Sequence, residues 1–131
     1  MSVSVNQWPS DWMRAALGLC VLRTVATGPT YGYAIAAALE ESGFGRVKGG
    51  TLYPLLARFE TAGWIAVEWR VGTGGPERKY LSLTDAGRRE LEAQSVMWRD
   101  FTGTVFTHLD GRDLDSTALE RTATPKGTDE S

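Results

Sequence analysis

The segment WIAVEWRVGTGGPERKYLSLTD, residues 64–85, decides the fold. Residues 64–71 are rich in β-branched and aromatic side chains, and residues 77–83, with Tyr80, Leu81 and Leu83, are expected to form a return strand. The glycine-rich run 72–76 between them predicts a flexible turn, so the two segments are expected to pair as a β-hairpin. Thr84 is the expected N-cap of a long helix that follows the hairpin directly.

Three helices are expected ahead of the hairpin, because apolar residues recur there at three- and four-residue spacing. Ser10 is the expected N-cap of the first helix and Thr51 that of the third. Pro54 is expected in the first turn of the third helix, where its missing N–H costs nothing. Glycines follow each helix, and the predicted ranges are 12–27, 31–42 and 51–62.

The helix after the hairpin is expected to run to about Leu109, with Leu91, Trp98 and Val105 repeating at seven-residue intervals. Apolar content falls beyond it while Thr, Asp, Gly and Ser accumulate, which predicts a disordered tail. The expected organisation is an N-terminal extension at 1–11, a winged helix domain at 12–83, a dimerisation helix at 84–109 and an acidic tail at 110–131.

This order of elements is that of a mainly α, winged helix-turn-helix fold, in which the third helix offers its outer face to the DNA major groove. At about 100° per residue, the inward positions are Leu52, Leu55, Leu56 and Phe59, and the outward positions are Pro54, Ala57, Arg58 and Thr61. We expect Arg58 to contact a guanine edge or a phosphate, and Thr51 to hold a phosphate at the helix start. A merely solvated amphipathic helix would present the same polar face.

Charge is unevenly distributed along the chain. The whole sequence has 14 basic and 16 acidic residues, a net charge of −2, which by itself does not indicate a nucleic-acid binder. Residues 46–89 nevertheless carry eight basic and four acidic residues, whereas residues 110–131 carry three and six. Arg70, Arg78 and Lys79 flank the predicted hairpin turn, as expected of a wing that touches the DNA backbone or minor groove.

Several function classes are disfavoured by what the sequence lacks. Cys20, the single cysteine, lies on an apolar helix face and is expected in the core, and His108, the single histidine, lies near a helix end. No metal-ligand spacing or phosphate-binding glycine loop is present, so we expect no metal, no cofactor and no enzyme activity. No membrane span and no signal peptide are predicted, which favours the cytoplasm.

A known family shares the motifs of this sequence. They are Tyr31-Gly32-Tyr33, Gly50-Thr51-Leu52-Tyr53-Pro54-Leu55-Leu56, Arg58-Phe59-Glu60, Gly63-Trp64-Ile65 and Arg78-Lys79-Tyr80-Leu81-Ser82-Leu83-Thr84-Asp85-Ala86-Gly87. Together they resemble the PadR-like, phenolic-acid-responsive transcriptional regulators, over about residues 12–100 and in the short subfamily with one C-terminal helix. Phe59 departs from the leucine usual in the family and keeps its apolar role.

The resemblance implies a homodimeric repressor that binds double-stranded DNA, with the third helix in the major groove. It implies recognition-helix roles for Thr51, Tyr53 and Arg58. It also implies phosphate contacts near the start of the second helix and wing contacts beyond the hairpin turn. The full set of expected DNA-binding residues is Tyr31, Tyr33, Lys48, Thr51, Tyr53, Arg58, Arg70, Arg78 and Lys79.

The last helix carries more apolar surface than a three-helix core and a hairpin can cover, which predicts a dimer interface. The expected interface residues are Leu91, Trp98, Phe101, Val105 and Leu109. Regulators that this sequence resembles often release DNA when a planar aromatic or cationic compound binds near the dimer interface. The candidate effector residues are Trp12, Met13, Met97, Trp98 and Phe101, and packing in the interface core is the favoured interpretation of them.

One alternative function stays open at the level of sequence. Some winged helix domains bind protein partners and never DNA. The salt dependence of DNA binding distinguishes the two functions. The affinity of a DNA-binding protein for duplex DNA falls steeply as the salt concentration rises, whereas a protein-binding domain need not bind duplex DNA at all.

Overall fold

The computed structural model describes residues 8–71 and 74–111. Along these residues the elements are α1 (Ser10–Val25), α2 (Gly32–Leu39), a π-helical turn (Glu40–Phe44), α3 (Gly49–Thr61), β1 (Ile65–Val71), β2 (Glu77–Leu83) and α4 (Asp85–Asp110). The mainly α, winged helix-turn-helix arrangement is therefore confirmed. Residues 1–7 of the predicted extension, 72 and 73 at the hairpin turn, and 112–131 of the predicted tail lie outside the described residues.

The hydrophobic core joins α1, α2, α3 and the hairpin. Its largest fully buried side chains are Leu22, Ile35, Leu39, Leu52, Val21 and Val25. Burying a side chain of this size contributes about 1.5–3 kcal/mol. The inward set predicted for α3, Leu52, Leu55, Leu56 and Phe59, is buried as expected, which fixes the direction of the opposite face of that helix.

The hairpin is antiparallel, and its register places Ile65 opposite Leu83 and Arg70 opposite Arg78. Successive strand residues face opposite sides, so the inner ends of both strands bury apolar side chains while the outer ends reach solvent. Thr30 adds a third chain segment: its N–H donates to the carbonyl of Leu81 at 2.9 Å, and the Leu81 N–H donates back at 2.6 Å. This bridge fixes β2 beside the start of α2.

The start of α4 is fixed by the predicted cap. The Gly87 N–H donates to Oγ1 of Thr84 at 3.0 Å, and the same hydroxyl donates to the carbonyl of Gly63 at 2.7 Å. Gly87 lies so close to the carbonyl of Trp64 that an added Cβ would collide with it. Leu91 packs against the core while staying partly exposed, and its expected place in a dimer interface stays a prediction.

Two helices start earlier than predicted. Ser10 is the first residue of α1, following Pro9, and makes no capping hydrogen bond. α3 begins at Gly49 after Lys48, and the Thr51 N–H donates to the carbonyl of Lys48 at 3.0 Å, so Thr51 is not the N-cap. Pro54 accordingly falls in the second turn rather than the first. Because proline has no N–H, the carbonyl of exposed Gly50 lacks the helical donor it would otherwise have four residues later.

The chain divides into two compact units, Met1–Gln94 and Ser95–Ser131. The first turns of α4 belong to the first unit, because Gly87 and Leu91 pack there. The expected boundary after residue 83 coincides with the end of β2, and the expected organisation of the chain stays a prediction. Within residues 8–71 and 74–111, no helix is long and apolar enough to cross a membrane.

Candidate nucleic-acid interface

The outward face of α3 is polar and free of large apolar side chains at its centre. Pro54, Ala57, Arg58 and Thr61 are all exposed, as the helical projection predicts. Thr51 is exposed on one flank, and Tyr53 is 56% exposed on the other. The helix therefore offers a small, polar surface with one arginine, which suits close approach to base edges.

A cleft of about 510 Å³ lies between the start of α2, the outer side of α3 and β2. Tyr31, Tyr33 and Tyr53 contribute its aromatic lining, and Arg78 and Lys79 its cationic lining. Five of the nine expected DNA-binding residues are thus brought together. Glu60 and Glu77 line the same cleft, which the sequence pattern did not predict.

Two arginines of the wing lie directly opposite each other. Arg70 and Arg78 are cross-strand partners, and like charges at such positions repel. The guanidinium of Arg70 lies 4.7 Å from the centre of the Tyr80 ring, and that of Arg78 lies 4.3 Å from the centre of the Tyr31 ring. The Tyr31 and Tyr80 rings meet edge to face with centres 5.5 Å apart. The pair is therefore held in place by stacking.

Acidic neighbours partly compensate the wing cations. Glu68 accepts a hydrogen bond from Arg70 at 3.2 Å, and Glu60 of α3 lies 3.6 Å from Nζ of Lys79. Both pairs are substantially exposed, so each contributes little to stability. Lys79 is drawn toward α3 by Glu60, whereas Arg78 keeps its charge over an aromatic face.

The segment before α1 contacts the turn between α2 and α3. The indole N–H of Trp8 donates to the carbonyl of Gly43 at 2.7 Å. Gly43 has φ +105°, and Gly45 has φ +82°, both in the left-handed region that favours glycine. A shallow cavity of about 230 Å³ next to this contact is lined by Trp8, Ser10, Met13, Leu17, Phe44, Arg46, Val47, Lys48 and Thr51.

The expected interface and effector residues fall in two units. In the unit Ser95–Ser131, the rings of Trp98 and Phe101 pack with centres 5.9 Å apart and planes tilted by 51°. The exposed apolar side chains of this unit include Met97 at 68%, Phe101 at 57%, Val105 at 37% and Leu109 at 72%. Trp12 and Met13 lie on α1 in the first unit, Trp12 exposed and Met13 packed against the core. A shared effector site stays a prediction.

Other chemistry finds little support in the part of the chain that the structure describes. Burial raises the pKa of the Cys20 thiol, which keeps it protonated and weakly nucleophilic. His108 lies in the last turn of α4 and is exposed. Within the described residues, no group of three or more His, Cys, Asp or Glu side chains could hold a metal ion.

Sequence reasoning missed Tyr80, Glu60 and Glu77 at this surface and Trp8 at the turn before α3. Tyr80 was recognisable in principle, because strand alternation places it on the same side as Arg78. Glu60 and Trp8 could not be recognised from the sequence, because their partners Lys79 and Gly43 lie far away along the chain and only the fold brings them together.

Comparison with known proteins agrees with this geometry. The model described as "Transcriptional regulator PadR-like family" matches residues 21–93, more than half of the chain. The chain is similar to the transcriptional regulator Rv3488 of Mycobacterium tuberculosis, with 38% identity over 62% of this chain and 74% of that protein. It is also 36% identical, over 67% of its length, to an uncharacterized 37.1 kDa protein in transposon TN4556 of Streptomyces fradiae. The match spans 24% of that longer protein.

Solved structures show the same likeness. A PadR family transcriptional regulator from Eggerthella lenta superposes with a TM-score of 0.70 at 34% identity, covering 76% of this chain and 87% of that one.

Proposed function

Because the chain belongs to the PadR-like family of transcriptional regulators, we propose that it is a sequence-specific DNA-binding repressor, acting as a homodimer on a palindromic operator. Members of this family are transcriptional regulators rather than enzymes, as the sequence predicts. A protein with this role works on chromosomal DNA in the cytoplasm.

The paired arginines of the wing carry the proposal. Arg70 and Arg78 face each other on exposed strand ends, where like charges repel. Glu68 pairs with Arg70, whereas no carboxylate among the described residues pairs with Arg78, so the facing arginines keep a net positive charge. A DNA phosphate supplies the opposite charge, and the guanidinium fork binds phosphate oxygens well. In this proposal the wing lies on the backbone while the polar face of α3 enters the adjacent major groove.

The dimer places two such surfaces on one duplex. The proposed contact with a second copy is formed by four of the exposed apolar residues of the second unit, spaced four residues apart along α4: Met97, Phe101, Val105 and Leu109. Two-fold symmetry then presents two copies of α3 to half-sites about one DNA turn apart. A small aromatic effector, if one acts, would favour a dimer whose α3 helices are wrongly spaced for DNA.

The experiment starts from selection of bound duplexes from a random-sequence library by the full chain, followed by binding titrations at several salt concentrations. Arg58→Ala is expected to weaken binding of the selected duplex and to relax sequence preference, by about 1–3 kcal/mol for the loss of a base-specific hydrogen bond. Replacing both Arg70 and Arg78 by Ala is expected to weaken binding of all sequences alike. The salt slope should fall by about one for each phosphate that the variant no longer neutralises.

Arg14→Ala serves as the matched control, because it removes one exposed arginine from α1. It is expected to bind DNA like the parent chain. If the selection enriches no duplex and the titrations detect no duplex binding at any salt concentration, the protein-binding alternative is favoured. Parental binding by both the Arg58 and the wing variants would show that the surface has been assigned wrongly.

A further inference from the structure

We propose that Gly32, at the start of α2, is a positioning residue for Tyr53: its missing side chain leaves the slot that holds the Tyr53 ring in place for DNA. This inference rests on the proposed DNA-binding function. It adds a residue that the polar face of α3 does not include and assigns it a role without direct contact to DNA.

Tyr53 bridges the two helices of the helix-turn-helix. A Cβ built on Gly32 would lie 2.5 Å from Oη and 2.6 Å from Cε1 of Tyr53, closer than real Cβ contacts allow. A Cβ built on Gly49 would lie 3.2 Å from Cε2 on the other edge of the same ring. The ring therefore fits between a glycine of α2 and a glycine of its own helix.

Backbone conformation does not explain a glycine at position 32. Gly32 is not among the glycines with positive φ, so an alanine could adopt its conformation. Glycine in a helix interior costs up to about 1 kcal/mol relative to alanine, and at the first residue of a helix, where Gly32 lies, the cost is smaller. The space taken by the Tyr53 ring is the reason the structure gives for accepting that cost.

The slot matters because Tyr53 is more than half exposed, with its ring on the wall of the cleft between α2, α3 and β2. An exposed side chain with no such support samples several rotamers and loses that freedom on binding. A ring held in advance loses less, so affinity rises without any new contact. Gly32 and Gly49 would thus prepare Tyr53 for DNA.

The test compares Gly32→Ala, Tyr53→Ala and the double variant in the full chain, using the duplex selected as described above. The added methyl meets the far end of a side chain, so Gly32→Ala should fold normally and displace the ring alone. Affinity for the selected duplex is expected to fall by roughly tenfold, the scale of removing one interaction with a base or phosphate. Tyr53→Ala should lower the affinity by a similar factor, and the double variant should bind the duplex no more weakly than Tyr53→Ala.

Two further glycines, one in α3 and one in α4, give a graded control. Gly49→Ala should have a smaller effect, since its Cβ would meet the ring at 3.2 Å, and Gly103→Ala should have none, since nothing lies within 4 Å of its Cβ. Thermal unfolding of all variants checks that the fold persists.

Parental affinity of Gly32→Ala, or an additional weakening by Gly32→Ala in the Tyr53→Ala background, overturns the positioning role. If Tyr53→Ala binds normally while Arg58→Ala does not, the positioning role fails and DNA binding stands. If no duplex is enriched at all, both proposals fail.

Discussion

α3 and the second half of α4 are both amphipathic, but only α3 has its apolar face buried within the described chain. The apolar face of α3 is covered within its own unit, with Leu52 1% and Phe59 6% exposed. The apolar residues of α4 beyond Gln94 remain exposed, with Phe101 at 57% and Leu109 at 72%. The same helical periodicity therefore corresponds to a buried apolar face in α3 and to a largely exposed apolar face in the second half of α4.

The difference separates two kinds of functional surface. In α3 the buried face stabilises the helix and leaves a polar face free for a charged partner. In α4 the apolar face itself is the surface that needs a partner, and a second copy of the chain is the partner proposed above. Substitutions in the two helices should consequently affect different measurements.

The largest effect on the folded chain is expected from Leu52→Ala. Leu52 is fully buried in α3, and truncating its side chain leaves a cavity, which costs about 2–5 kcal/mol of unfolding free energy. Chemical denaturation of the full chain measures this loss. Ala57→Ser, on the exposed face of the same helix, should change stability by less than about 0.5 kcal/mol. Equal losses for the two variants would contradict the one-sided burial of α3.

Phe101→Glu should act on assembly instead. A carboxylate in an apolar interface lacks a partner and costs several kcal/mol of association free energy by an order-of-magnitude estimate. We expect sedimentation equilibrium to show a shift from dimer to monomer, with weaker binding to a palindromic duplex. The control is Arg99→Glu, which lies on the opposite side of the helix by the 3.6-residue period. A Phe101 variant that stays dimeric would place the interface elsewhere.

The smallest effect concerns how the turn before α3 is held. Trp8→Phe keeps an aromatic ring but removes the N–H that donates to Gly43, which should cost about 1 kcal/mol of unfolding free energy. Trp69→Phe changes an exposed indole of the wing and should leave the unfolding midpoint unchanged. A Trp8 variant as stable as the Trp69 variant would show that the hydrogen bond adds nothing to stability.

Local patterns were sufficient where they involve near neighbours in sequence. The hairpin strands 65–71 and 77–83 and the cap at Thr84 follow from residue type and spacing, and so does the inward set of α3. The start of α3 was misplaced because two glycines, 49 and 50, are typical of turns, whereas Tyr53 packs against Gly49 inside the helix. Propensity cannot anticipate that, since the compensating contact depends on the helix being formed.

Contacts between distant segments were beyond the reach of sequence patterns. The Trp8 bond to Gly43, the approach of Lys79 to Glu60 and the stacking of Arg78 on Tyr31 each join residues of different elements. Charge counting alone treated the wing cations as equal. The structure instead pairs Lys79 with Glu60, stacks Arg78 on Tyr31, and gives Arg70 both an acidic partner and an aromatic one.

The sequence by itself determined the order of elements, the face of α3 that is buried and the family motifs, because these depend on periodicity and local backbone chemistry. Only the tertiary structure decided that Arg70 faces Arg78, that Tyr53 lies against Gly32 and that Leu91 packs inward. These relations depend on the register of the strands and on the packing distance between the helices. Both are determined by the combined packing of many side chains, which no local sequence pattern contains.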